Sequence, residues 1–100
     1  MIDLVTWKKP KKPTLDELER MLQREGLAFE LLSEEPGIKF GRHKHGFDDF
    51  VIIVSGKMKI GIEGHEWIMK PGDRLDLPAN TPHWAEVVGK EAVQYLTAAK

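Results

Sequence analysis

The chain contains no cysteine. Disulfide cross-links and thiolate-bound metals are thereby excluded, and any metal has to rest on nitrogen and oxygen donors. Long apolar runs are missing too. None approaches the roughly 18 residues needed to span a bilayer, and the start of the chain carries no signal-peptide pattern. The expected setting is cytoplasmic, with no membrane partner. Nor is there a surplus of either charge: 15 Lys and Arg against 16 Asp and Glu give a net charge of −1. A general nucleic-acid binder would carry a basic excess, so none is expected as a partner. The one basic cluster, Lys8, Lys9, Lys11 and Lys12, is broken by Pro10 and Pro13 and reads as a solvated arm.

What the chain does have is the composition of a folded protein, 41% apolar and 31% charged. A chain of this length buries roughly 65% of its unfolded surface, enough for one core with little to spare. Signals for a helix occur once. Thr14 and Glu17 have the spacing of a capping box, Asp16 and Glu17 favour the helix N-terminus, and Gly26 ends the segment. Leu15, Leu18, Leu22 and Met21 form its apolar stripe. Residues 1–6 read as an edge strand or a docked arm.

Beyond Gly26 turn signals recur every eight to twelve residues or so, separated by short β-branched and aromatic runs. That rhythm predicts an all-β antiparallel sandwich or barrel, with strands near 27–33, 38–44, 49–55, 57–62, 65–69, 74–77, 83–88 and 92–98. The expected organisation is an arm and helix over residues 1–26 packed on a barrel over 27–100, one structural domain in all. Residues 50–54, Phe-Val-Ile-Ile-Val, are apolar on both faces, so both need a cover. If Asp49 points inward, Val51 and Ile53 follow it, and Phe50, Ile52 and Val54 face out. Either the helix or a second copy of the chain covers that outer row, and a homodimer is the expectation.

The candidate chemistry lies beside this strand. His43 and His45 are two apart on a predicted strand, so their bases share a face about 7 Å apart. Rings leaning inward from there can place nitrogens about 2.0–2.1 Å from one ion. Asp49 follows a tight turn and can reach the same point, and His83 arrives at the head of a later strand. Three imidazoles and a carboxylate suit one divalent Zn, Fe, Mn, Ni, Co or Cu ion, and not Mg or Ca. The competing reading is a barrel in which this polar cluster bonds to itself and to water.

The spacing Gly37-x5-His43-x-His45-x3-Asp49-x6-Gly56 resembles the first motif of the cupin superfamily, and Gly72-x5-Pro78-x-Asn80-x2-His83 resembles the second. The resemblance implies a small jelly-roll β-barrel with one short N-terminal helix. It also implies a metal held by His43, His45, His83 and the acid at position 49. Three positions depart from the motifs. Asp49 stands where Glu is usual and is one methylene shorter, so it binds the ion directly, acts through water or orients a histidine. Asn80 replaces a Gly and keeps tolerance of a left-handed backbone. Val87 replaces the closing Asn.

The family includes dioxygenases, isomerases, other enzymes and non-catalytic modules. The functional expectation is a metal-binding cupin, a metalloenzyme acting on a small organic molecule held in the barrel mouth; the alternative is a binding or sensor module without turnover. By parity the mouth is expected to be lined by Trp67 and Met69, Met58 and Ile60, and Tyr95 or Gln94. Tyr95 is read as a packed aromatic with its hydroxyl at the surface, or else a general acid. Trp84 and Glu86 are expected outside, Arg74 and Asp76 as a pair, and His65 at the surface. No Ser-His-Asp spacing, phosphate-binding glycine loop or glycosidase carboxylate pair is present.

Overall fold

The helix α1 (Leu15–Arg24) begins and ends where its caps dictate. The Thr14 hydroxyl accepts from the Glu17 amide at 3.1 Å, and the Glu17 carboxylate accepts from the Thr14 amide at 3.2 Å. Both halves of the capping box are therefore made. At the other end Gly26 adopts φ +74°, the Leu27 amide donates to the Leu22 carbonyl and the Gly26 amide to that of Gln23. Those two bonds form a Schellman closure, which satisfies carbonyls the helix would otherwise leave open.

A computed structural model describes residues 2–99. Eight strands follow the helix: β1 (Phe29–Glu34), β2 (Lys39–His43), β3 (Asp49–Ser55), β4 (Lys57–Ile62), β5 (His65–Met69), β6 (Arg74–Leu77), β7 (His83–Val88) and β8 (Val93–Ala98). They form two four-stranded sheets, ordered β1-β8-β3-β6 and β2-β7-β4-β5, with every pairing antiparallel. This is the all-β barrel of two facing sheets expected from the turn rhythm.

Between the sheets lies the main core, to which Val51, Ile53, Met58, Ile60, Leu75, Val87 and Tyr95 contribute. A second core lies outside the first sheet, where Leu18 and Leu22 pack against Phe50, Ile52 and Leu96, with Val54 beside them. Strand β3 thus divides its residues as alternation required. Its outer row is covered by α1 of the same chain, so that row does not itself call for a second copy. Complete burial of Leu22 and Ile52 contributes about 1.5–3 kcal/mol each.

Arg74 ties the helix end to the sheet. Its two Nη atoms donate to the Glu25 carboxylate at 2.6 and 2.9 Å, Nε donates to Asp76 at 3.2 Å, and the guanidinium lies over the Phe50 ring. The hydrogen bonds from Arg74 hold the Glu25 carboxyl below its ordinary value. The described residues before the helix form a docked arm. Val5 bridges Arg74 on the edge of β6, and the Trp7 amide donates to the buried carboxylate of Asp73. The Trp7 side chain lies over Gly72, where any side chain would displace it. This strap covers an edge that would otherwise expose unpaired backbone groups. Of the basic cluster, Lys9 pairs with Glu17 at 3.3 Å in an exposed setting.

Candidate metal centre

Strands β2 and β7 bring the histidines together. Their register sets His43 directly opposite His83, so two residues forty apart in sequence become cross-strand neighbours. A bulge makes this possible. Between Phe40 and His43 strand β2 advances three residues while β7 advances two, from Ala85 to His83. In a regular strand residues 40 and 43 would face opposite ways; the extra residue turns both inward. His45 lies just past the end of β2, in the turn leading to Asp49, and not on the strand as the sequence suggested. Its carbonyl accepts from the Asn80 amide at 2.7 Å, and the Asp48 carboxylate accepts from the Ala79 amide at 2.9 Å. These bonds join the turns that carry the two halves of the site. Asn80 takes φ +64°, the left-handed conformation for which asparagine is suited.

The three rings fan around a common point. Ring centroids are 5.0 Å apart for His43 and His45, 4.3 Å for His43 and His83, and 5.3 Å for His45 and His83, with the planes inclined by 47–76°. One nitrogen from each lies within 4.8 Å of the others, close enough to hold a metal ion. His43 is exposed at the rim, His45 half-buried and His83 buried. The Nδ1 of His43 is 2.6 Å from the Gly41 carbonyl oxygen, and the Nδ1 of His83 is 2.9 Å from that of Thr81. A carbonyl only accepts, so in both rings Nδ1 carries a proton and Nε2 is the nitrogen left for a metal. Such outer hydrogen bonds fix tautomer and orientation in metal-binding histidines. Burial lowers the pKa of His83, outweighing the bond to Thr81; the charges of His43 and His45 lower it further, and Asp49 opposes them. The ring is neutral at neutral pH, the state a metal ligand needs.

Asp49 is held from one side. Its Oδ1 accepts from the Thr97 hydroxyl at 2.7 Å, the Ala98 amide at 3.0 Å and the Phe50 amide at 2.7 Å. Its Oδ2 lies 3.8 Å from Nε2 of His45, and only 9% of the side chain is exposed. The carboxylate is thus fixed beside the triad by three donors, with one oxygen left toward it.

The histidines line a cavity of about 270 Å³, together with Asp49, Phe40, Phe47, Met58, Tyr95 and other residues. Of the residues expected at the mouth, Met58, Ile60 and Tyr95 are present. Trp67 and Met69 pack into the core instead, and Gln94 faces outward to Ser55. Tyr95 is the packed aromatic expected: the residue is 8% exposed and lines the cavity. Burial pushes its pKa up to about 12, with Glu34, Asp49 and Glu30 adding to the rise, so its hydroxyl is a donor at neutral pH. His65 is exposed, Trp84 and Glu86 lie off the cavity, and Arg74 pairs with Asp76, all as the sequence indicated. Glu30, Phe40, Phe47 and Thr97 were not foreseen. Only Thr97 left a signal, since it shares the inward parity of Tyr95.

Residues 31–99 match the family of the cupin domain. The chain belongs to the cupin family. Among solved cupin-like structures, a DUF861 family protein from Thermotoga maritima aligns over 100% of both chains with a TM-score of 0.65 and 17% identity. KdgF from Halomonas sp. aligns over 73% of this chain and 71% of its own, with a TM-score of 0.58 and 22% identity. The DMSP lyase DddQ from Ruegeria pomeroyi aligns over 71% of this cupin with a TM-score of 0.64 and 24% identity, but the match spans only 36% of the lyase. At these identities the likeness is one of fold. No curated protein shows significant sequence similarity to the chain. No helix among the described residues is long and apolar enough to cross a membrane.

Proposed function

We propose that this cupin binds one divalent transition metal through His43, His45 and His83 and admits a small organic molecule to the cavity beside it. The observation that carries the reading is the convergence of three ring nitrogens within 4.8 Å, with two Nδ1 protons already committed to backbone carbonyls. The fourth member is Asp49, whose free oxygen near His45 offsets part of the cation's charge directly or through water. Zn, Fe, Mn, Ni, Co or Cu suits such a donor set. When bound, the metal supplies a Lewis acid or an oxygen-binding centre.

The chain's own residues do the rest. Thr97 fixes Asp49, while Phe40, Phe47, Val51 and Met58 present apolar surface that excludes water from the ligand's body. The fold likeness to a DMSP lyase supports an enzyme acting on a small molecule. A non-catalytic binding module is the second reading, favoured by one observation. Tyr95 is protonated at neutral pH, and Asp49 has one oxygen committed to three donors and the other turned toward the histidines, so among the described residues the exposed Glu30 is the one carboxylate of the lining outside the proposed metal site.

Elemental analysis of protein purified without chelator or polyhistidine tag tests the metal. The expected content is about one transition-metal equivalent per chain, whereas less than about a tenth, unrestored by added metal, would overturn the site.

A further inference from the structure

The cavity's charge inventory restricts what it can hold. Its acids are Glu30, at the exposed rim, and Asp49, beside the triad. Among the described residues no lysine or arginine lines it. A carboxylate or phosphate ligand is normally met by an Arg fork or a Lys, and neither is available here. With a divalent cation in place, two negative charges oppose two positive ones, and no net charge remains to favour an ion of either sign. The remaining lining is largely apolar: Leu32, Phe40, Phe47, Val51, Met58 and Ile60.

One polar group stands ready within this lining. Tyr95 has no hydrogen-bond partner for its hydroxyl among the described residues, yet none of their buried polar side-chain atoms lacks a partner. The oxygen is therefore not fully buried, and the residue that carries it lines the cavity. Thr97, by contrast, has given its proton to Asp49. A cavity of about 270 Å³ has room for roughly ten non-hydrogen atoms at interior packing density.

We infer that the ligand of this cavity is an uncharged, compact alcohol or ketone whose oxygen accepts a hydrogen bond from Tyr95 and whose carbon body lies against Phe40, Phe47 and Met58. This deepens the proposed function and rests on it for the two positive charges of the metal.

Three probes with one carbon body test it: cyclohexanol, cyclohexanecarboxylate and cyclohexylammonium. Each is titrated by NMR into metal-loaded and chelator-treated protein, with the labelled Met58 methyl reporting on the cavity. Small probes of this size bind at about millimolar concentration. In loaded protein cyclohexanol is expected to bind at least about tenfold more tightly than either ion. In metal-free protein the carboxylate is expected to remain the weakest of the three, because Glu30 and Asp49 then stand unopposed. Tyr95→Phe is expected to weaken cyclohexanol about fivefold and to leave cyclohexylammonium, which has no acceptor for the hydroxyl, unchanged.

Carboxylate binding as tight as that of the alcohol in either state would overturn the inference. So would a Met58 methyl unmoved by about 10 mM cyclohexanol, a weak affinity even for so small a probe. A loss below about twofold in Tyr95→Phe would remove the donor role. Failure of the metal site itself appears separately, as absent metal, and leaves the ranking in metal-free protein to decide.

Discussion

Gly56→Ala is expected to destabilise the protein by about 2–5 kcal/mol. Two costs add at this position. The residue has φ +78°, where a Cβ costs about 1–2 kcal/mol. That Cβ would also meet the Ala92 carbonyl oxygen at 2.5 Å and the Val93 Cα at 2.8 Å, both of them backbone. No side chain can swing aside, so β3, β4 or the turn before β8 has to move, and such overpacking costs about 1–3 kcal/mol more. Against a total stability of about 5–15 kcal/mol the loss is large. Gly26→Ala supplies the control, since φ is +74° there and nothing lies within 4 Å. It should cost only about 1–2 kcal/mol, the backbone share alone. Urea unfolding of both variants checks the difference; equal losses would show that the crowding around Gly56 carries no energy.

The second large effect concerns the triad. His83→Ala is expected to lower metal affinity by at least about a hundredfold, because even outer partners of metal-binding histidines are worth about ten- to a hundredfold. His43→Ala/His83→Ala should retain no stoichiometric metal while remaining folded. Both hydrophobic cores lie elsewhere, and His43 is exposed. Metal at about a hundred times its dissociation constant stabilises the native protein by about 2.7 kcal/mol. The parent should therefore melt several degrees higher on loading, and the double variant should not. His65→Ala is the internal control, because His65 is exposed and stacks on Trp67 away from the cavity. Calorimetric titration and thermal melts read both quantities; full metal retention by the double variant would refute the ligand assignment.

Most of the architecture could be read from local patterns. Turn residues bounded the strands to within a residue or two, the capping box located α1, and the apolar run at 50–54 divided between two cores as two-fold alternation required. Periodicity could not reveal the bulge in β2, because a bulge breaks the rule by which parity is counted. Placing His43 and His45 on one strand face was the consequence, whereas a turn presents His45 and the bulge turns His43. Tyr95 was placed at the mouth by parity, but its reach was not legible. A lone aromatic in β8 has the right parity for the interior, but sequence gives no measure of how far its hydroxyl reaches. Glu30 left no trace at all, since an acid on an edge strand normally marks solvent, and only the closure of β1 over the mouth brings it to the cavity. Two of the three donors that hold Asp49 come from β8, about fifty residues on, and no local spacing encodes them.

X-ray absorption fine structure of the metal-loaded protein tests the convergence of the three imidazoles most directly. About three imidazole nitrogens at about 2.0–2.1 Å from a single zinc ion, with the outer-ring scattering that histidine gives, are expected. A shell of oxygen alone, or one imidazole only, would contradict a cation gripped by His43, His45 and His83.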